Sequence, residues 1–310
     1  MEQEMNLPDS DSWHYEFITP DLIQGERVNK VIYSGQTEYQ SVVIQDTSRF
    51  GRSLVLDNKT QSTEADEFVY HESLVQPVMM SQSAPKNVFV AGGGEGATAR
   101  EILRHRSVEQ VVMVDIDSKV VDLCNKYLPS FHKGSFSDAR LKIFYEDAWD
   151  FLYKTDEIFD VVVIDIPDPL EFGPAYRLYT VEFYDLVMKC LGENGIMVVQ
   201  AGPTGPSFYD QCFSAVFNTV SKVFSSVTAY QAFVSSFGST WGFVVGSLGP
   251  NPAELDENRV DHEIYSRKLN GLSHYDGETH SGMFKLPKYL RTAINLEDRI
   301  ITTENPLFVK

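Results

Sequence analysis

The chain has 310 residues, 43% hydrophobic and 23% charged, enough for one large α/β domain or for such a domain with a smaller companion. Its longest apolar runs last about 5 residues, too few to cross a bilayer, and Met1-Glu2-Gln3-Glu4-Met5 lacks the basic and apolar regions of a secretory signal. With 44 acidic against 26 basic residues the net charge is −18, which disfavours nucleic-acid or anionic-membrane surfaces and attracts cationic ligands, although charge also serves solubility.

In chain order, residues 27–34, 40–46 and 52–57 are short segments rich in β-branched residues, separated at Gly35, Phe50-Gly51 and Asp57-Asn58, and predict a small antiparallel unit. Residues 64–80 have helix-forming composition, closed by Pro85. From Lys86 strands alternate with helices: strands at 87–91, 110–115, 141–145, 159–165 and 195–200, helices at 97–106 and 118–128, and a final antiparallel pair at 227–232 and 241–246. Continuous apolar strands between helices predict a mostly parallel sheet covered on both faces. The expected division is an N-terminal β domain over 1–72, a Rossmann-like domain over 73–250 and a polar covering extension with short helices over 251–310. Cys124, Cys190 and Cys212 have no metal spacing and cannot all pair, which fits reduced thiols in a cytoplasmic protein. No metal site is expected, and His132, His274 and His280, in polar stretches without ligand partners, are expected at the surface.

The chemistry concentrates at strand ends. Gly92-Gly93-Gly94-Glu95-Gly96 lies between a strand and a helix, where a nucleotide-type ligand can approach the backbone. Asp115 ends the next strand and is placed for ribose hydroxyls. Asp147, followed by Ala148, ends the third strand and Asp165 the fourth, so acids close successive strands on one sheet edge, a pattern that suits S-adenosyl compounds better than dinucleotides. Each acid alone also reads as a helix cap. Glu95 would repel the carboxylate of an ordinary methyl donor and pair with the ammonium of a decarboxylated one.

Together with Asp165-Ile166-Pro167-Asp168-Pro169, these motifs make residues 13–250 resemble the spermidine/spermine synthase family of aminopropyltransferases. Also similar are Leu54-Val55-Leu56-Asp57, the run from Glu64 to Glu72, Gly173-Pro174-Ala175, Leu178-Tyr179 and Phe183-Tyr184. The resemblance implies an N-terminal β domain before a class I methyltransferase-type Rossmann sheet. It implies that Gln40, His71, Gly92, Gly94, Glu95, Asp115, Asp147 and Ala148 hold the donor. Tyr70, Asp165, Asp168, Gln200 and Phe237 would surround the acceptor, with Asp165 catalytic. Decarboxylated S-adenosylmethionine would be a co-substrate, no cofactor would be needed, and a homodimer or homotetramer would act on a small polyamine. His71 departs from the glutamine usual in spermidine synthases, Gln200-Ala201-Gly202-Pro203 from their Gln-Gly-Glu, and Phe237 from an acceptor-site tyrosine. With Glu95 and Ser239-Thr240-Trp241-Gly242 these departures look more like the thermospermine synthase branch. A spermidine or spermine synthase, an S-adenosylmethionine-dependent methyltransferase and a catalytically silent binding subunit stay open as alternatives; a nicotinamide dehydrogenase is disfavoured.

Overall fold

In the computed structural model, which describes residues 12–19, 21–171 and 173–309, five antiparallel strands come first in meander order. They are β1 (Trp13–Thr19), β2 (Leu22–Gln36), β3 (Ser41–Thr47), β4 (Gly51–Leu56) and β5 (Lys59–Thr63). Met1 to Met5, whose composition argues against a signal, lie outside the described residues. β2, β3 and β4 occupy the three expected segments. β1 and β5 go beyond them: Lys59–Thr63 contains no aliphatic or aromatic residue, so its hydrophobic alternation is silent, and pairing with β4 makes it a strand. Asp57 and Asn58 join β4 to β5 at φ 47° and 63°, the left-handed pair that a two-residue hairpin demands and that Asp and Asn tolerate.

Helix α1 (Glu67–Ser81) follows, and almost all of it from Tyr70 onward is buried. Such a helix lies between other layers. It packs on the second sheet, so residue 72, the expected domain boundary, falls inside a helix whose side chains join that sheet's core.

The second sheet is built from β6 (Asn87–Gly92), α2 (Ala97–Leu103), β7 (Gln110–Val114), α3 (Ser118–Tyr127), α4 (Pro129–His132), β8 (Leu141–Phe144), α5 (Ala148–Lys154) and β9 (Phe159–Asp165). It continues with α6 (Val181–Cys190), β10 (Leu191–Pro203), α7 (Phe213–Val220), β11 (Ser226–Val234) and β12 (Ser239–Ser247). The strand order is β11-β12-β10-β9-β6-β7-β8, with β6 to β10 parallel and β12 antiparallel to both neighbours. The order reverses between β6 and β9, and such a switch point opens a crevice at the carboxyl ends of the strands. Apolar cores cover both faces. A third cluster joins Val42, Ile44, Leu54 and Leu56 of the small sheet to Val120, Cys124, Leu128 and Phe131 beside the large one.

The extension carries α8 (Glu257–Arg267), α9 (Gly277–Met283) and α10 (Lys288–Leu296). It is more deeply engaged than a polar cover. Leu286, Leu290 and Ile301 enter the main core, and the Val309 N–H donates to the Pro169 carbonyl at 2.9 Å. The expectation of surface histidines is corrected: His132 and His280 are buried and His274 is half-buried. His280 is held between the Tyr275 hydroxyl at 2.7 Å and the Pro252 carbonyl at 2.9 Å. Polar flanks conceal the burial of His132 and His280, whose ring nitrogens find partners inside the protein and carry no hydrophobic pattern.

Candidate active site

A cavity of about 500 Å³ lies over the carboxyl ends of β6, β7 and β9 and reaches across to β1, β4 and β5. All thirteen residues proposed above line it: Gln40, Tyr70, His71, Gly92, Gly94, Glu95, Asp115, Asp147, Ala148, Asp165, Asp168, Gln200 and Phe237 meet in one space.

The glycine loop creates the approach. Gly92, Gly93 and Gly96 have φ of 76°, 75° and 80°, and a Cβ on Gly92 would stand 2.2 Å from the Asp165 carbonyl. Side chains are thereby excluded where β6 and β9 part. A Cβ on Gly94 would sit 2.7 Å from Asp115 Oδ2. Asp115 Oδ1 accepts the Asp117 N–H at 2.8 Å, and burial raises its pKa to about 6. Asp147 is both cap and cavity wall. Its Oδ1 accepts the Trp149 N–H at 2.8 Å at the start of α5, and its Oδ2 lies 3.4 Å from Arg177 Nη1. Gln40 is oriented by Asp117, whose Oδ2 accepts from the Gln40 amide at 3.1 Å and from the Thr37 hydroxyl at 2.6 Å.

Glu95 is not a free carboxylate. Its Oε1 is 2.6 Å from His71 Nε2, and His71 Nδ1 is 3.0 Å from Glu67 Oε2. Burial alone would lower the His71 pKa, but Glu95 and Glu67 outweigh it and hold the imidazole well above its usual range. Burial raises the Glu95 pKa, with His71 opposing. Behind them Arg100 grips both oxygens of Glu67 at 2.9 and 2.8 Å. Burial works against ionised Glu67, yet His71 and Arg100 bring its pKa down to about 2.

On the other side, Asp165 Oδ1 accepts the Tyr70 hydroxyl at 2.8 Å and Oδ2 the Thr98 hydroxyl at 2.5 Å. Burial, then Asp165, pushes the Tyr70 phenol well above its usual pKa, so it stays a neutral donor. Asp168 Oδ1 accepts from the Gln200 amide at 3.1 Å. Although Asp168 keeps access to the cavity, protein surrounds it, and this burial lifts its pKa to about 6 against the Gln200 hydrogen bond. The Gln200 amide nitrogen also serves the Ile166 carbonyl at 2.9 Å, while its oxygen accepts from Gly202 N and Trp241 Nε1, each at 2.9 Å. Gln200 therefore positions Asp168 and Trp241. Phe237 packs on Tyr70 and Trp241 with ring centroids 5.9 and 4.7 Å apart.

Four participants escape sequence reasoning. Glu16 and Lys59 line the cavity from β1 and β5, strands with no sequence expectation. Thr98 follows the glycine loop closely enough that a hydroxyl at the helix start was a readable signal. Val309 arrives from the far end of the chain, beyond any motif.

An acid-lined cavity thus occupies the switch point of the sheet, with Asp165 anchored on its wall. Residues 67–255 match the spermine/spermidine synthase domain. The chain belongs to the spermidine/spermine synthase family. Residues 12–64 match the spermidine synthase tetramerisation domain, which supports a homo-oligomer. A polyamine aminopropyltransferase of Sulfurisphaera tokodaii is 44% identical over 96% of this chain and 98% of its own. Thermospermine synthase ACAULIS5 of Arabidopsis thaliana is 41% identical over 96% of this chain and 87% of its own. A spermidine synthase crystallised with the transition state analogue AdoDATO has a TM-score of 0.85 at 32% identity, covering 96% of this chain and 99% of that one. As a member of the spermidine/spermine synthase family, this chain is a polyamine aminopropyltransferase, and the donor of the family's reaction, decarboxylated S-adenosylmethionine, is a co-substrate.

Proposed function

We propose that the enzyme transfers the aminopropyl group of decarboxylated S-adenosylmethionine to spermidine, giving thermospermine and 5′-methylthioadenosine. The observation that carries this reading is the anchored Asp165, set between the Glu95–His71 pair and Asp168. Gly92, Gly94, Asp115, Asp147, Ala148 and Gln40 hold the adenosyl half. Glu95 takes the donor's ammonium with its remaining oxygen, and His71 keeps Glu95 oriented and ionised. Tyr70, Asp168, Gln200 and Phe237 form the acceptor half.

An alkylamine with pKa near 10 is mostly protonated at neutral pH and carries no lone pair for attack. Asp165 accepts the proton and aligns the amine with the methylene bonded to sulfur. The C–N bond forms as the C–S bond breaks, and its electron pair returns to sulfur as the neutral thioether leaves. Asp168 holds a second acceptor nitrogen as an ammonium.

Gly202 and Phe237 support a triamine acceptor. Gly202 places backbone rather than a carboxylate beside Asp168: a Cβ there would stand 3.6 Å from Asp168 Oδ1. Phe237 narrows the wall with an apolar ring that offers no hydrogen bond. Thermospermine synthase ACAULIS5 among the relatives supports the same product. The three cysteines are free and buried, in keeping with a cytoplasmic location, and the match to the tetramerisation domain supports a homodimer or homotetramer. Incubation with the donor and either putrescine or spermidine, followed by chromatography resolving thermospermine from spermine, tests the reading. Thermospermine from spermidine is expected, and turnover of putrescine alone would sink it.

A further inference from the structure

The cavity lining has a lopsided charge. Glu95, Asp115, Asp147, Asp165, Asp168 and Glu16 all contribute carboxylates, and among the described lining residues Lys59 is the lone lysine or arginine. Its position is built rather than incidental. Lys59 opens β5 directly after the constrained Asp57–Asn58 turn, and its ammonium donates to the Phe17 carbonyl on β1. The same ammonium lies 3.9 Å from Glu16 Oε1, while Glu16 Oε2 is fastened by the Thr60 N–H at 3.0 Å. Lys59, Glu16 and Asp168 line the same cavity, and Lys59 and Glu16 act on the Asp168 carboxyl with opposite signs.

We propose that Lys59 is a specificity-determining residue, a resident cation that sets the penalty on each acceptor ammonium lying beyond the one held by Asp168. This rests on the polyamine reading of the site. A protonated polyamine reaching past Asp168 meets Glu16, whose charge Lys59 already offsets. The 3.9 Å separation leaves that pair loose enough for a substrate ammonium to compete with it. A diamine spanning Asp165 and Asp168 has no further ammonium to bring to this point. Discrimination built from a placed like charge is a repulsive element, as specificity between related ligands requires. At an effective dielectric between protein and water, a neighbouring like charge about 5 Å away costs roughly a 5- to 20-fold loss in affinity.

The test measures dissociation constants of putrescine, spermidine and spermine by calorimetry, with 5′-methylthioadenosine saturating, for the wild type, Lys59→Gln, Lys59→Met and Lys59→Arg. Removing the charge is expected to tighten spermidine and spermine relative to putrescine by about 5- to 20-fold, with the gain shrinking as added salt screens the charges. Lys59→Arg keeps the wild-type ratios. Equal changes for all three amines would overturn the proposal and make Lys59 only a strut between β5 and β1. Thermal midpoints of the variants report that role separately. A wild type that binds no polyamine would sink the functional reading and this proposal with it. A wild type that makes thermospermine while Lys59→Gln leaves the ratios unchanged would sink this proposal alone.

Discussion

Asp165 receives a hydroxyl on each oxygen, from Tyr70 and Thr98, so its plane is held while further lone pairs stay available to an amine. Asp165→Asn keeps the shape but cannot take a proton, and turnover is expected to fall about 10²- to 10⁴-fold. Calorimetry with the donor should show near-wild-type binding, because the donor-holding roles are proposed for other side chains, among them Glu95, Asp115 and Asp147. In the acceptor role proposed for it, Asp168 should impose a pH dependence. Its carboxyl, raised to about 6 by burial, becomes neutral as pH falls through that value and then no longer holds an ammonium. Acceptor kcat/KM should therefore decline below about pH 6, and Asp168→Asn should lose this limb. Asp115, also raised to about 6, should in its proposed donor role impose a separate limb on donor kcat/KM that survives in the variant. The placement of Asp165 and Asp168 on the cavity wall was legible from a strand-end acid followed by a proline-flanked one. Glu16 and Lys59 were not, since they enter the site through pairing across the small sheet.

At the scale of the element, α1 is organised by charge as much as by apolar packing. Glu67, His71 and Arg100 form a buried chain in which Arg100 binds both Glu67 oxygens. Its members come from separate helices, α1 and α2, so no periodicity in the sequence announces it. Glu67→Gln would leave Arg100 and His71 short of counter-charge, and a loss of about 3–5 kcal/mol is expected from denaturant midpoints at pH 7. Acid adds a second signature. The Glu67 pKa is about 2 in the fold, below its unfolded value, so its contribution is present above about pH 4.5 and vanishes as pH falls toward 2. The variant should flatten the acid limb of stability across that window. By contrast, the alternation of strand and helix from Lys86 onward was plainly legible, and so was the terminal antiparallel pair, because continuous apolar strands bounded by glycine and acid have one economical arrangement.

Taken whole, the molecule closes its cavity with parts far apart in sequence. The last described residues pass the site, where Val309 bonds the Pro169 carbonyl and Phe308 packs on Tyr176 with centroids 5.4 Å apart. Deleting residues 305–310 should loosen the loop that carries Asp168. Acceptor KM is expected to rise several-fold while the thermal midpoint moves only about 2–4 °C, since few core residues are lost. Steady-state kinetics beside a melting curve would separate the two effects. On the small sheet Phe17, Leu22, Ile23 and Val31 expose apolar side chains within the segment matched to the tetramerisation domain. Helix α1 joins this small sheet to the large one. Its adjacent residues Tyr70 and His71 attend to different carboxylates, Tyr70 to Asp165 and His71 to Glu95. One peptide unit therefore links the two carboxylates, and if the proposed donor and acceptor halves are filled on either side of it, binding in one is expected to alter binding in the other. Linkage makes that influence mutual: whatever factor the first guest lends to the second, the second returns to the first. Titrating each co-substrate alone and beside a dead-end analogue of its companion should yield the same factor both ways.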